Sequence, residues 1–373
     1  MKLIWCKNCL LPNSRPNLTI EVNGNCTACN NFSIKEKVNW KDRESEFRKL
    51  VKKIKKKKLR YDCIIPVSGG KDSTWQTIKC LEYDLNPLAV TWKSPQRTKI
   101  GQENLDNLIS LGVDHIDWSV NPNIEKKLTL DSYKKFGAIA IPMHLAMFNI
   151  PALLASNFKI PYIIWGENSA VEYGNSNKRD NQKILSDKWY KNYGVTHNTK
   201  AKDWVSKKLP QKKMSSYFDY KTYGNKNFNP QSIFLGYFFK WDPQQTFAIA
   251  KKFGFKEGVA ARTGYYKFAD IDDDFISIHH WLKWYKFGFT RLFDNLSLEI
   301  RNKRITRDEA LKIIKIDGLH PPIEDIKKYC KYCNITIETF FKIAERFRNK
   351  KIWKKKNNNK YFIENFIIKN WEW

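Results

Sequence analysis

Residues 63 to 74, CIIPVSGGKDST, constrain this chain more than any other stretch. A short apolar run closed by two glycines reads as a buried strand, and the lysine, aspartate and hydroxyls after it open a helix. Such a strand, turn and helix point several backbone N–H groups and a helix amino terminus at one place. The glycines let an anion come close and the serine hydroxyls add donors. The turn is not a Walker A loop, which requires a glycine where Ile65 stands and Ser or Thr where Asp72 stands.

The pattern beyond the turn sets the fold class. Apolar spacing predicts a strand over 62–67, a helix over about 72–83, a strand over 88–92, a helix over about 101–111 and a strand over 114–119. The continuous apolar run at 160–166 ends in Gly166 and reads as a buried parallel strand, with a further strand at 232–239. This alternation implies an α/β chain with a doubly wound parallel sheet, whose ligands sit at the carboxyl ends of the strands. The glycine turn and Gly166-Glu167-Asn168 are then expected to line one cleft. Residues 174–230 form a polar, lysine-rich excursion of loops and short helices. Beyond Asp242 the apolar residues recur at helical intervals, and Thr306 with Glu309 makes a capping box.

With 373 residues, 42% of them hydrophobic, the chain is long enough for two or three folded domains. The formal charge of +29, from 67 basic against 38 acidic residues, permits a polyanionic partner but does not argue for one. Lys and Asn are abundant everywhere, as in KKIWKKKNNNK at 350–360, so no nucleic-acid partner is expected. The most membrane-like stretch, 136–158, carries Pro142, His144, Asn149 and Pro151 and lacks the ~20 apolar residues of a span, so it reads as core helices. No apolar leader precedes the first cysteine pair, and the expected compartment is the cytoplasm.

Cys6-x-x-Cys9 and Cys26-x-x-Cys29, with residues 10–25 between them, match the two-knuckle spacing of a zinc ribbon. Four thiolates close the coordination sphere, so a structural Zn²⁺ is expected, with Gly24 allowing the tight turn before the second pair. Cys330-x-x-Cys333 is either a sulfur-carrying pair or two small buried residues on a helix face. Cys63 and Cys80 read as core residues.

SGGKDS after the first strand resembles the signature of the PP-loop ATP pyrophosphatases, of adenine nucleotide α-hydrolase-like fold. The cysteine pairs, SGGKDST, LAVTWKSPQRT, NLISLGVDHIDWSVNP, IIWGENSAVEYGN, FLGYFFKWDP, IDDDF, KWYKFGFTR and EIRNKRITRDEA together resemble, from Cys6 to about Tyr332, the N-acetyl sugar amidotransferases of the WbpG and PseA type. These act in bacterial lipopolysaccharide (O-antigen) and flagellin-glycan pathways. Phe289 and Thr290 depart from the KFGYGR-like run expected there, which removes a tyrosine hydroxyl but not the class.

The resemblance divides the chain into a zinc ribbon at 1–35, a PP-loop ATP-binding α/β domain at 36–240 and a helical C-terminal domain at 241–373. It implies ATP and Mg²⁺ as cofactors. An amide oxygen is a poor leaving group, so ATP would adenylylate the acetamido oxygen, releasing pyrophosphate, and ammonia would then displace AMP to leave an acetamidino group. Ser68, Gly69, Gly70, Lys71 and Ser73 would hold the phosphates, with Asp72 on Mg²⁺ or capping the helix. Val90, Thr91 and Trp92 would lie beside adenine, with Gly166 at the opposite strand end. Lys71, Asp72 and Glu167 would carry the chemistry, and Asn168, Glu172, Tyr173, Lys286 and Arg291 would bind a sugar or sugar-nucleotide. Asp272, Asp273 and Asp274 would assist a metal or cap the next helix, and His144 reads as a satisfied core histidine.

No glutaminase nucleophile is recognisable, and residue 2 is Lys rather than Cys. Ammonia is expected from a separate glutaminase with a cyclase-like channel subunit, resembling the pair of histidine biosynthesis. Two other readings explain parts of the sequence: a PP-loop tRNA thiolase using Cys330 and Cys333, and a non-catalytic zinc-ribbon adaptor that binds RNA through its lysines.

Overall fold

A computed structural model describes residues 2–174, 183–317, 319–356 and 360–373. Five strands form its main sheet: β1 Cys63–Pro66, β2 Pro87–Trp92, β3 Asp114–Trp118, β4 Tyr162–Trp165 and β5 Gln231–Phe234. Their order is β3-β2-β1-β4-β5 and every pairing is parallel, with Ile64 opposite Leu88 on one side and Ile163 on the other. Order reverses between β1 and β4, the switch point at which such sheets bind ligands.

Alternation along the strands assigns the two faces. Cys63 and Ile65 point into one core with Phe47, Trp75, Leu105 and Ile164, whereas Ile64 points into another with Leu88, Val90, Leu128, Leu145 and Ile163. Helices Trp40–Lys55, Lys71–Glu82 and Lys99–Ile109 cover the first face; Pro122–Phe136 and Ile141–Asn157 cover the second. The stretch that most resembled a membrane span is thus core, with Pro151 inside the second of these helices. Among the described residues no helix is long and apolar enough to cross a membrane.

The fifth strand is shorter than the sequence implies. It stops at Phe234 because Gly236 donates its N–H to Gly166 O at 3.0 Å, which draws the chain into a tight turn over the end of β4. The excursion after Gly174 is less open than its lysines suggest: Trp204, Leu209, Met214 and Tyr217 are buried in the second-face core. Its residues 175–182, like Asn357 to Asn359 of the lysine-rich run, lie outside the described residues.

Six helices of nine or more residues follow between Pro243 and Arg346, and the capping box at Thr306 and Glu309 closes in both directions, at 2.7 and 3.2 Å. Trp353–Lys355 and Tyr361–Ile363 add an antiparallel hairpin that the sequence reading missed. The cysteine ribbon sits on this C-terminal region. Leu10 is buried among Phe289, Leu292, Phe293 and Leu296, and Trp5 donates to Asn365 O at 2.8 Å.

Candidate active site

The glycine turn keeps its shape through short-range bonds. Ser68 Oγ accepts from Gly70 N at 3.2 Å, and the Ser73 and Thr74 hydroxyls donate to Gly70 O at 2.9 and 3.1 Å. Gly69 has φ +87°, and a Cβ there would lie 2.7 Å from Leu105 N, so the position excludes any other residue. Gly70 is the N-cap of helix Lys71–Glu82 and no side chain caps it. Among the described residues no side chain caps the N–H groups of that first turn, and Gly70, Lys71, Asp72 and Ser73 line the cleft.

Asp72 therefore does not cap the helix. One carboxylate oxygen lies 2.5 Å from Lys71 Nζ, and the other accepts from Trp241 Nε1 at 2.8 Å and Thr246 Oγ1 at 3.2 Å. Lys71 is held against the rings of Trp241 and Phe268. Trp241, Thr246 and Phe268 all come from beyond β5 and form a roof that the sequence reading did not assign.

The cleft above the turn has a volume of about 490 Å³. It is lined by Ser68, Gly70, Lys71, Asp72, Ser73, Val90, Thr91, Trp92, Gly166, Glu167, Tyr173 and Arg291 among the predicted residues. Glu167 follows β4 directly across the switch point from the turn. Burial raises its carboxyl to about 7, and the neighbouring charge of Asp72 adds to the effect while Lys71 opposes it. Among the described residues no cation forms an ion pair with it. Trp92 donates its indole N–H to Glu125 at 3.0 Å, which fixes the ring in the cleft wall, and Thr91 pairs with His115 at 2.9 Å.

A loop before helix Ile276–Phe287 closes the remaining side. Thr98 N donates to Asp272 O and Asp274 N to Gln96 O, both at 3.1 Å, so the loop is stitched to the end of β2. It brings Asp270, Asp272 and Asp273 to the cleft. Asp270 has φ +58°; against the effect of burial, Arg291 and His280 hold it well below the usual carboxylate range. Burial raises Asp273 to about 6; it accepts from Ser94 and, at 2.5 Å, from Phe275 N, which is the helix-start contact its sequence position implied. Asp274 instead pairs with Arg262 at 2.8 Å and Lys328 at 2.7 Å.

Three predicted substrate residues are placed elsewhere. Asn168 is buried as the N-cap of the short helix Ser169–Tyr173 and accepts from Trp189 Nε1 at 2.9 Å. Glu172 is buried with its carboxylate 2.6 Å from Lys35 Nζ. Lys286 donates to Gly137 O at 3.0 Å, the carbonyl of a left-handed helix cap, and burial beside Lys283 lowers its amine to about 8. Conversely His144, read as core, lines the cleft; its Nδ1 is 2.7 Å from Ala140 O and burial lowers the ring to about 4, so it is a neutral imidazole.

The opposite end of the cleft is apolar: Met143, Met147, Phe148, Pro151, Trp165 and Phe234 line it, and Trp165 Nε1 is buried without a hydrogen-bond partner among the described residues. These residues lie on helix Ile141–Asn157 and at the ends of β4 and β5, where only the packed sheet brings them to the turn. Arg97, Ser94, Tyr266 and Asp270 were likewise not singled out from sequence, since each lies on a loop that only the packing of other elements brings to the cleft.

The four ribbon cysteines fit a metal. Their sulfurs lie within 4.8 Å of one another, with Cys6···Cys29 at 3.8 Å and Cys9···Cys26 at 3.6 Å. A tetrahedron with Zn–S bonds of about 2.3 Å has S···S edges of about 3.8 Å. Backbone N–H groups of Cys9 and Cys26 donate to Cys6 Sγ, and the buried Arg301, one of whose amino groups has no hydrogen-bond partner among the described residues, supplies a compensating positive charge. Cys330 and Cys333 are buried far from both sites among Tyr133, Phe275, Tyr329 and Phe340, and burial raises both thiols, Cys333 to about 11.

No curated protein matches the chain. Residues 231–366 match the family described as LPS biosynthesis protein WbpG-like, C-terminal domain, a span that contains the whole roof from Trp241 to Arg291. The segment that closes the cleft over the glycine turn is thus similar to a WbpG-like C-terminal domain.

Proposed function

We propose that the chain is an ATP-dependent amidotransferase of glycan biosynthesis, converting the N-acetyl group of a bacterial surface-glycan sugar into an acetamidino group. The observation that carries this reading is the cleft itself: an anion-binding turn and a half-buried Glu167 face each other at the sheet's switch point, under a roof supplied by a WbpG-like domain.

ATP and sugar are the substrates. The acetamido oxygen attacks the α-phosphorus, the bond to the β-phosphate oxygen breaks, and pyrophosphate leaves into the N–H groups, hydroxyls and Lys71 of the turn. The amide proton is lost, giving an O-adenylyl imidate. Ammonia adds at carbon and AMP departs with the former acetamido oxygen. Glu167, titrating near neutrality, is suited to take the proton in either step. Mg²⁺ would neutralise the phosphates; Glu167, Asp272 and Asp273 are the cleft carboxylates without an ion pair among the described residues. Ammonia would come from a partner glutaminase and cyclase-like subunit in the cytoplasm, because all eight cysteines are buried and none is placed to attack glutamine. In the ribbon a bound Zn²⁺ would be structural.

The purified chain, given ATP, Mg²⁺, ammonium and a panel of UDP-linked diacetamido uronates and nonulosonic acids, should exchange O for NH in one of them by mass spectrometry. ¹⁸O placed in the acetamido group should appear in AMP. A Cys330→Ala, Cys333→Ala variant should retain this turnover. Sulfur transfer to tRNA that vanishes in the double variant, or label absent from AMP, would overturn the reading.

A further inference from the structure

We infer that the cysteine ribbon supplies a positioning residue to the cleft: Arg15, from the loop between the two knuckles, clamps Tyr173 against Arg291.

Tyr173 ends the helix Ser169–Tyr173 and lines the cleft beside Glu167. A helix this short does not hold itself, so its position is imposed by what packs on it. From below, the ribbon helix Thr27–Lys35 grips it. Lys35 Nζ bonds Glu172 at 2.6 Å and Trp241 O at 2.7 Å, and Gly174 sits so close that a Cβ there would be 3.0 Å from Thr27 Oγ1. Arg301 adds a bond to Glu172 O at 2.9 Å.

From the sides, two guanidinium groups flank the phenol ring, Arg15 at 5.2 Å and Arg291 at 5.7 Å from its centroid. Arg15 is fixed by Asp294, whose carboxylate is fully buried and also meets Lys283: the distances are 2.9 and 3.1 Å. Arg291 is fixed by Asp270 at 3.3 Å. The Arg15 loop cannot drift, since Ser14 Oγ donates to Phe287 O at 2.6 Å and Leu10 N to Ser297 Oγ at 3.1 Å. Three cations, Arg15, Lys283 and Arg291, thus face two carboxylates, Asp270 and Asp294, around one neutral phenol that burial raises to about 12 while Arg291 pulls it down. The hydroxyl accepts from Arg291 Nη1 at 3.5 Å, and both residues line the cleft.

A methionine in place of Arg15 removes one wall of the ring and leaves Asp294 to Lys283 alone. The clamp stands on this geometry; its effect on turnover rests on the amidotransferase reading. The test uses the full-length, metal-replete chain labelled with 3-fluorotyrosine, the Tyr173 resonance being assigned with Tyr173→Phe. Arg15→Met should move that ¹⁹F resonance, Arg15→Lys should restore part of the shift, and the ribbon should still hold its metal. Binding of a non-hydrolysable ATP analogue should be unchanged, while transfer turnover falls by about 10- to 100-fold.

An unmoved resonance in Arg15→Met overturns the inference, and so does a moved one with full turnover. Should the methionine variant not fold, Arg15→Lys decides by the same two readings, since it keeps the charge but loses the Nε donor that meets Asp294. A wild-type chain with no transfer activity sinks the amidotransferase reading, and the resonance then decides the clamp by itself.

Discussion

The floor and the roof of the cleft are held together differently. In the floor, Ser68 to Ser73, the bonds that fix the glycine turn join residues no more than five apart. In the roof, the bonds that matter join residues 169 to 279 positions apart: Trp241 to Asp72, Ser94 to Asp273, Arg15 to Asp294. The floor is a turn that local sequence can build alone, and on the amidotransferase reading it receives the anion. The roof is what makes the site particular, because it decides which groups stand around the anion and where Asp72 and Lys71 point.

The largest effect should come from the residue standing between the two. Glu167→Gln keeps the shape and removes the titrating proton acceptor, so transfer turnover should fall by about 10²–10⁴-fold while nucleotide affinity holds. The wild-type pH profile should show an ascending limb near 7, where this carboxyl ionises, and the variant should lack it. An unchanged limb would mean that the floor works without Glu167.

A second test concerns the side wall. Burial raises Glu125 from its model-peptide range to about 8 while it accepts from Trp92. A carboxyl raised on folding is bound to a proton more tightly in the folded chain, so its contribution to stability is complete below about pH 4.5 and is lost as pH rises through 8. Denaturant unfolding should therefore show a decline on the order of 2–4 kcal/mol between pH 5 and 9 that Glu125→Gln abolishes. Equal slopes in the two proteins would show that Trp92 is not held by a protonated acid.

The smallest effect isolates the roof. Trp241→Phe keeps an aromatic ring over Lys71 but deletes the donor to Asp72, and turnover should drop by about 10-fold or somewhat more through misplacement of that carboxylate. Thermal unfolding should move little. A variant with full activity would reduce the roof to a cover.

This contrast also explains what could be read in advance. The alternation of strands and helices, the turn and the cysteine cluster follow from local spacing: Cys63 to Val67 is an apolar run, Gly69 adopts a positive φ, and the knuckles carry their own geometry. Lys286 looked like a ligand because it stands among aromatics, yet it satisfies Gly137 O, a carbonyl exposed only after two helices have packed. Glu172 looked free on a loop, but its partner Lys35 belongs to the ribbon helix. His144 lies in an apolar segment whose helix turns it, with Met143, Met147 and Phe148, toward the cleft. In each case the deciding neighbour is more than a hundred residues away or on another element, which periodicity does not encode.

The packing of the ribbon on the C-terminal helices has a consequence for how the protein is made. Leu10 and Trp5 leave the ribosome well before the residues that cover them, Phe289 to Leu296 and Asn365 to Phe366; Trp5 and its partner Asn365 are 360 residues apart. A knuckle that captures its metal early must wait with its apolar underside bare until those residues are made, which leaves the nascent chain vulnerable to association through that surface. Slow elongation or scarce metal should thus be felt as lost yield of assembled protein before any loss of specific activity is seen.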